Sequence, residues 1–287
     1  MESEVQSLGV IKCQMTRILE GQSTLNWDTL AVEEALEIRI EFGESKRIQK
    51  SISITMRTPG HDRELAVGFL FTEGLLHNSL DLIEVKACGP NAKEKTYSNT
   101  IKASLSKDTK IDLDKLQRHF YTSSSCGVCG KTSIEALKVQ NRFTQAEQSV
   151  SEFIVSPDLI QSLPLKLRKA QEIFSLTGGL HASGLFTANG ELLILREDVG
   201  RHNALDKLIG YGFLHNLLPF NQHILLVSGR LSFELVQKAA LAGIKMTVAI
   251  GAPSSLALEL AIEMKMTLIG FLKPERFNIY SGDGRLK

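Results

Sequence analysis

Cys126 and Cys129 form a C-x-x-C pair in YTSSSCGVCGK (121–131), set among small residues and followed at once by Lys131. Gly127 and Gly130 permit positive backbone dihedrals and leave the sulfur atoms uncovered, while Lys131 brings a positive charge close by. A neighbouring cation or helix N-terminus raises the thiolate fraction, and the thiolate is the nucleophile. Four readings of the pair stand open. A zinc knuckle needs two more ligands, yet there is no second C-x-x-C, and Cys13 and Cys88 are isolated. A thioredoxin-like dithiol belongs at a helix start directly after a buried strand, whereas Ser123–Ser125 precede this pair. Nucleophilic sulfur chemistry would let one thiolate accept a sulfur atom and pass it on. Unreactive loop thiols are the plain alternative.

Other candidate residues fall at the ends of expected strands. Thr177-Gly178-Gly179-Leu180-His181 is one such group, and Arg196-Glu197-Asp198-Val199-Gly200-Arg201-His202-Asn203 is another. Open α/β sheets place ligands at strand ends, and the second group enters a helix whose first amides can face an anion. Neither is a G-x-G-x-x-G fingerprint. Taken singly, His181 and His202 suit structural roles as well as catalytic ones, and Asp198 suits a helix cap. Ser228-Gly229-Arg230 follows a further apolar strand, and Gly251-Ala252-Pro253-Ser254-Ser255 the next. Ser232 and Ser254 read first as helix caps, but Arg230 suits bidentate phosphate contacts. Phe271-Leu272-Lys273-Pro274-Glu275-Arg276 puts a ring and two cations on one segment, for base stacking and phosphates or as a solvated tail.

These groups need elements to hold them. Residues 10–20 alternate loosely, and Leu30–Ile40 and Ile48–Arg57 carry the period of two of half-buried strands. Arg63–Leu76 reads as one amphipathic helix, with strands at Ile83–Ala87 and Thr100–Leu105 and a turn at Pro90–Lys95. This predicts a small α+β domain. A short helix is expected at Lys131–Val139, and a longer one opens at Ser156-Pro157-Asp158 and runs towards Leu176. Leu180–Thr187 and Glu191–Arg196 form a hairpin around Asn189-Gly190. Helices at 201–214, 232–242 and 254–264 then alternate with strands at 224–228, 246–250 and 267–271, which predicts a helix-covered, largely parallel sheet. The division is 1–118 for the N-terminal α+β domain, 119–150 for the cysteine-bearing loop and linker helix, and 151–287 for the ligand-binding α/β domain.

Bulk properties narrow the function classes. With 33 Lys and Arg against 32 Asp and Glu, the chain has no global field to gather nucleic acid, so an anionic ligand must meet a local cluster. The opening MESEVQSLG lacks a basic, apolar leader, and no stretch is long and apolar enough for a membrane span, so the expectation is a cytoplasmic protein without nucleic-acid or membrane partners.

TSSSCGVCGK, EDVGRHNALDKLIG, VSGRLSFELVQKAALAG and LIGFLKPERFNIY together resemble the formate dehydrogenase accessory sulfurtransferase family, the FdhD/NarQ group. The likeness runs from GFLFTEGLL at 68–76 to the C-terminus. It implies a cytoplasmic homodimer that takes sulfur from a cysteine desulfurase as a persulfide. The sulfur goes on to the molybdenum cofactor that formate dehydrogenase requires. It also implies a C-terminal cytidine-deaminase-like three-layer α/β/α domain binding Mo-bis(molybdopterin guanine dinucleotide), with a guanine nucleotide such as GDP able to occupy the site. The family's persulfide cysteine matches Cys126, with Cys129 its neighbour, and its cofactor segment matches Phe271 to Arg276. His181, Asp198, Arg201, His202, Ser228 and Arg230 join that segment as candidate cofactor contacts. The loop after 246–250 departs from the pattern, reading IGAPSS where a more serine-rich start is expected, so Gly251 offers no hydroxyl. Neither H-x-E nor P-C-x-x-C occurs, so no zinc-activated water and no metal site are expected. Two rival functions remain: a cofactor-binding chaperone without sulfur chemistry, and a zinc-stabilised nucleotide-binding module.

Overall fold

A computed structural model describes residues 9–44, 46–89, 98–107, 109 and 153–287. Cys126, Cys129, Lys131, the turn at 90–95, the helix expected at 131–139 and both expected domain boundaries lie outside the described residues.

The chain begins with a two-stranded hairpin, β1 (Val10–Leu19) against β2 (Gln22–Ala31). Glu20 and Gly21 turn it with φ of 50° and 80°, the doubly left-handed pair of a type I′ connection. The strand expected at 30–40 is therefore two pieces, β2 ending at Ala31 and β3 (Glu34–Phe42) beginning three residues on. Most of β2 carried no readable period, because the hairpin is exposed on both faces and nothing selects an apolar side.

A four-stranded sheet follows, in the order β4-β3-β6-β5, with β4 (Ile48–Arg57), β5 (Leu82–Ala87) and β6 (Thr100–Leu105) close to their expected positions. Leu36, Ile38 and Ile40 alternate inward along β3 and are fully buried. They pack in one cluster with α1 (Asp62–Thr72). The helix stops short of Leu76 because Gly74 turns the chain with φ 75°. It is also less amphipathic than expected. Leu65, Ala66, Val67, Leu70 and Phe71 are all buried, since α1 lies between the sheet and a second helix, α4 (Arg201–Leu214).

The helix expected from 156 to 176 breaks at Gln171 into α2 (Pro157–Ala170) and α3 (Glu172–Thr177). Ser156 caps α2 by accepting from Leu159 N, with Pro157 at the first turn, where its missing N–H costs no helix bond. The remaining elements are β7 (His181–Thr187), β8 (Leu192–Asp198), β9 (His223–Val227), α5 (Phe233–Leu241), β10 (Met246–Ala249), α6 (Ser255–Glu263), β11 (Thr267–Lys273) and β12 (Arg276–Ser281). They build a six-stranded sheet in the order β12-β11-β10-β9-β7-β8. The expectation of a largely parallel sheet is corrected here. Only β9, β10 and β11 run parallel, while β7, β8 and β12 are antiparallel to their neighbours. The reason lies in connection length: β7–β8 and β11–β12 are joined by tight turns, which can link only antiparallel strands.

Alternation along these strands sorts the sheet into two faces. Leu225, Val227, Ala249 and Leu268 face the side covered by α4, α5 and α6. Ile224, Leu226, Met246 and Val248 face Ile160, Leu163 and Leu167 of α2. The result is three layers, helix on sheet on helix. The first of these clusters continues without a break through α4 and α1 into the four-stranded sheet. One charged side chain of α4 and one of α5 enter this apolar layer as partners. Asp206 accepts from Lys238 Nζ at 2.8 and 3.0 Å and from Thr72 Oγ1 at 3.1 Å, joining α4, α5 and α1. Burial works most strongly against the Lys238 ammonium, but Asp206, Glu73 and Glu234 together outweigh it and hold the lysine above its ordinary range. Among the described residues, no helix is long and apolar enough to cross a membrane.

Candidate functional site

The ends of five strands meet along one edge of the six-stranded sheet. His181 opens β7 directly opposite Asp198, the last residue of β8, and Ser183 pairs with Val227 at the end of β9. From there the three parallel strands run out into Ser228-Gly229-Arg230, Ile250-Gly251 and Phe271. These loops are stitched together by backbone bonds: Gly251 N donates to Gly229 O at 3.1 Å, and Phe271 N to Gly251 O at 3.0 Å. His181 and Phe271 stand on strands three spacings apart, so the seam is roughly 14 Å long. It suits a ligand longer than a single phosphate.

Arg201 is the first residue of α4 and lies against Gly229, beside His181. Its Nε is buried and meets no acceptor among the described residues. Such an unpaired donor is costly unless a ligand completes it. Burial first, and then the Arg201 charge, push His181 below the ordinary histidine range. The same two causes, in the same order, push His202 down. Both rings are therefore neutral near pH 7 and able to accept as well as donate.

His202 meets Ser232 Oγ at 3.3 Å and Glu234 Oε2 at 3.0 Å. Both partners sit on Nε2. A hydrolytic triad needs its serine and its acid on opposite ring nitrogens, so this cluster is no charge-relay device. Ser254, by contrast, is the helix cap that its position predicts, accepting from Ala257 N at 3.2 Å.

Asp198 is brought to the seam but faces inward. It is fully buried, paired with Lys207 Nζ at 2.7 Å, and accepts from Thr58 N at 3.2 Å, Gly200 N at 2.8 Å and Asn203 Nδ2 at 3.1 Å. Its carboxylate fastens the loop that presents Arg201 and His202. Ser228 likewise completes the sheet, its hydroxyl accepting from Ala182 N at 2.9 Å. Arg230 is exposed.

The Phe271–Arg276 segment is the turn of a hairpin, with Lys273 paired to Arg276 across Pro274-Glu275. Phe271 adopts φ 53°, breaks the β11–β12 register and is 43% exposed. Lys273, Pro274, Glu275 and Arg276 are exposed as well. Leu272 is 2% exposed and packs in the core, which leaves only its backbone near a ligand.

The missing hydroxyl at Gly251 has a steric cause. A Cβ there would lie 2.9 Å from Gly229 O and 3.0 Å from Arg230 Cα, both backbone atoms. Gly251→Ser should therefore separate the two loops and destabilise the chain by about 1–3 kcal/mol. Urea unfolding would show this as a lower midpoint, and an unchanged midpoint would remove the close-approach explanation.

Sequence patterns alone missed a cavity of about 470 Å3 between the α2–α3 junction and the seam. Arg168, Gln171, Phe174 and Ile250 line it, together with the expected His181 and Ser228. Glu197 fixes its α3 wall, accepting from Ile173 N at 3.1 Å and Phe174 N at 2.9 Å. The available signal was weak: Arg168 and Gln171 are three apart on one helical face, but neither Gly nor Pro marks the break at Gln171.

The fold and seam define a mixed α/β protein whose strand-end edge carries a buried arginine Nε that meets no acceptor among the described residues. The FdhD/NarQ family model matches residues 31–287, and the chain belongs to that family. A relative from Streptomyces coelicolor named sulfur carrier protein FdhD is 44% identical over 274 residues, covering 95% of this chain and 94% of its own. One of the same name from Sulfurisphaera tokodaii is 42% identical over 277 residues, covering 96% and 99%. A solved structure from Desulfotalea psychrophila, described as a formate dehydrogenase accessory protein, matches with a TM-score of 0.71 over 97% of this chain and all of that one. At 24% identity that likeness is one of fold.

Proposed function

We propose that this protein is a sulfur carrier and sulfurtransferase that serves a formate dehydrogenase. The Cys126 thiolate attacks the outer sulfur of a cysteine desulfurase persulfide. A new S–S bond forms at Cys126, the donor's S–S bond breaks, and the donor cysteine leaves as a thiolate with no net oxidation. Cys129 assists exchange or release, and Lys131 favours the thiolate. The acceptor is the molybdenum cofactor, bound as substrate in its bis(molybdopterin guanine dinucleotide) form. Arg201 and Arg230 meet its phosphates, His181 and His202 contribute neutral hydrogen-bonding groups, and Phe271 offers a ring for stacking. The three-layer half is taken as cytidine-deaminase-like, and the working unit as a cytoplasmic homodimer.

The observation that carries this reading is the buried Arg201 Nε, which meets no acceptor among the described residues, placed on a seam of neutral imidazoles and bare backbone in a chain of this family. The relatives' name, sulfur carrier protein, supports the sulfur half of it. Incubation with desulfurase and radioactive cysteine should label the wild type and leave Cys126→Ala unlabelled, while the variant still binds guanine nucleotide. Normal labelling of Cys126→Ala would remove Cys126 from the role. A chaperone reading without sulfur chemistry draws on the same seam. A Cys126/Cys129 double variant that still activates formate dehydrogenase would favour it.

A further inference from the structure

The two histidines beside Arg201 differ in what stands ready to pair with a proton. Near His181 the acid is Asp198, but its carboxylate is taken up by Lys207 Nζ and by the N–H groups of Thr58, Gly200 and Asn203. His202 has Glu234 Oε2 at 3.0 Å from its Nε2, on a side chain that is 57% exposed. A carboxylate only accepts, so the neutral ring must carry its hydrogen on Nε2, which leaves a lone pair on Nδ1. Among the described residues Nδ1 meets no donor. Arg201 precedes His202 on the first turn of α4 and holds a buried Nε that meets no acceptor among the described residues. The charges that bear on His202 are Arg201 on its own helix and Glu234 and Lys238 on α5, with exposed Arg230 in the loop between β9 and α5. Burial first and then Arg201 hold the ring below the ordinary histidine range, with Lys238 adding to them and Glu234 opposing. An anion against Arg201 cancels the charge that keeps this ring neutral.

We propose that His202 is a phosphate-reading residue that takes one proton from solvent at Nδ1 when the ligand's anionic group reaches Arg201, and that Glu234 is the positioning residue that holds the ring for it. The imidazolium then donates from Nδ1 to a phosphate oxygen and from Nε2 to Glu234, and the proton returns to solvent when the ligand leaves. This rests on the seam taking the phosphates of a nucleotide-bearing ligand. Linkage fixes the sign: the bound ring holds its proton more tightly, so affinity rises as pH falls through the bound ring's pKa and levels off below that of the ligand-free ring.

The probe is diguanosine pyrophosphate, whose internal phosphates each keep one charge from about pH 6 to about pH 8, so a proton taken up on binding belongs to the protein. Affinity of the full chain should rise at least about fivefold across that range, since a rise of one unit in the pKa of one group gives about tenfold. Carbon-13 resonances of labelled histidine, with His202 assigned from His202→Gln among the seven histidines, should show its titration midpoint move up when the probe is added. Glu234→Gln keeps an oxygen for Nε2–H but removes the charge, and it should cut the gain between about pH 8 and about pH 6 by at least about threefold. A merely structural role for Glu234 would lower affinity equally at both ends of the range. A His202 midpoint that stays put while the probe binds overturns the proposal, as does an undiminished gain in both folded variants, and either result leaves the proposed function standing. If wild type does not bind the probe at either pH, the nucleotide part of the proposed function falls and this proposal with it.

Discussion

Gly210→Ala is expected to destabilise the protein by about 3 kcal/mol, and Gly68→Ala by a similar amount. The two glycines face each other where α1 crosses α4. A Cβ on Gly68 would run into Asp206 O, and a Cβ on Gly210 into Glu64 O, so each new methyl group would meet the other helix's backbone. A flexible side chain could swing away, but a helix backbone cannot without parting the helices. Intrinsic helix propensity predicts the opposite sign, since alanine in a helix interior is better than glycine by about 1 kcal/mol. Urea denaturation therefore decides between them. A variant as stable as wild type, or more so, would mean that the helices do not touch here. The consequence reaches the site, because α4 begins at Arg201 and α1 joins it to the four-stranded sheet.

Lys207→Met should cost about 3–5 kcal/mol, the range found when one member of a buried ion pair is removed and the other is left charged. Lys207 bonds the Asp198 carboxylate and also donates to Thr58 O at 2.9 Å and Glu197 O at 3.3 Å. Thr58 in turn gives its amide to Asp198, and its hydroxyl accepts from Val199 N at 3.2 Å. Asn203 adds a further tie, donating to Met56 O at 2.7 Å. The end of β4 is thus locked to the loop that carries Arg201 and His202. The double variant Asp198→Asn/Lys207→Met leaves no charge at this pair and should recover part of the loss, which a double-mutant cycle measures. A single variant costing less than about 1 kcal/mol would show that the pair is no clamp. Guanine-nucleotide affinity of the folded variants should fall with the loop's fixation, because Arg201 stands within it.

Much of this arrangement was legible in local pattern. The apolar runs HILLV and MTVA are short, bounded by turn residues and followed by helix caps, so β9 and β10 fall close to their expected positions. Asn189-Gly190 placed the β7–β8 hairpin, because a left-handed Gly190 suits so tight a connection. Candidate ligand residues could be found for the same reason: strand ends followed by small residues are where a sheet exposes backbone amides. His181, Arg201 and Gly229, drawn from three separate segments, do come together. Asp198 shows where this reasoning stops. Its position at a strand end suited a ligand contact or a cap, but its partners include Thr58, 140 residues away, and only the fold could bring that amide to it.

The sequence by itself determined most strand and helix segments of the C-terminal half, the caps at Ser156 and Ser254, the cysteine pair and the family. All of these are written in neighbouring residues, through period, turn chemistry and motif. The tertiary structure decided which side of α1 is buried, which strands of the six-stranded sheet run parallel, and which polar groups are consumed internally. It also placed Gln171 and Arg168 beside His181 around one cavity. Those outcomes depend on contacts between distant segments, and hydrophobic period records that a face is buried without recording what buries it.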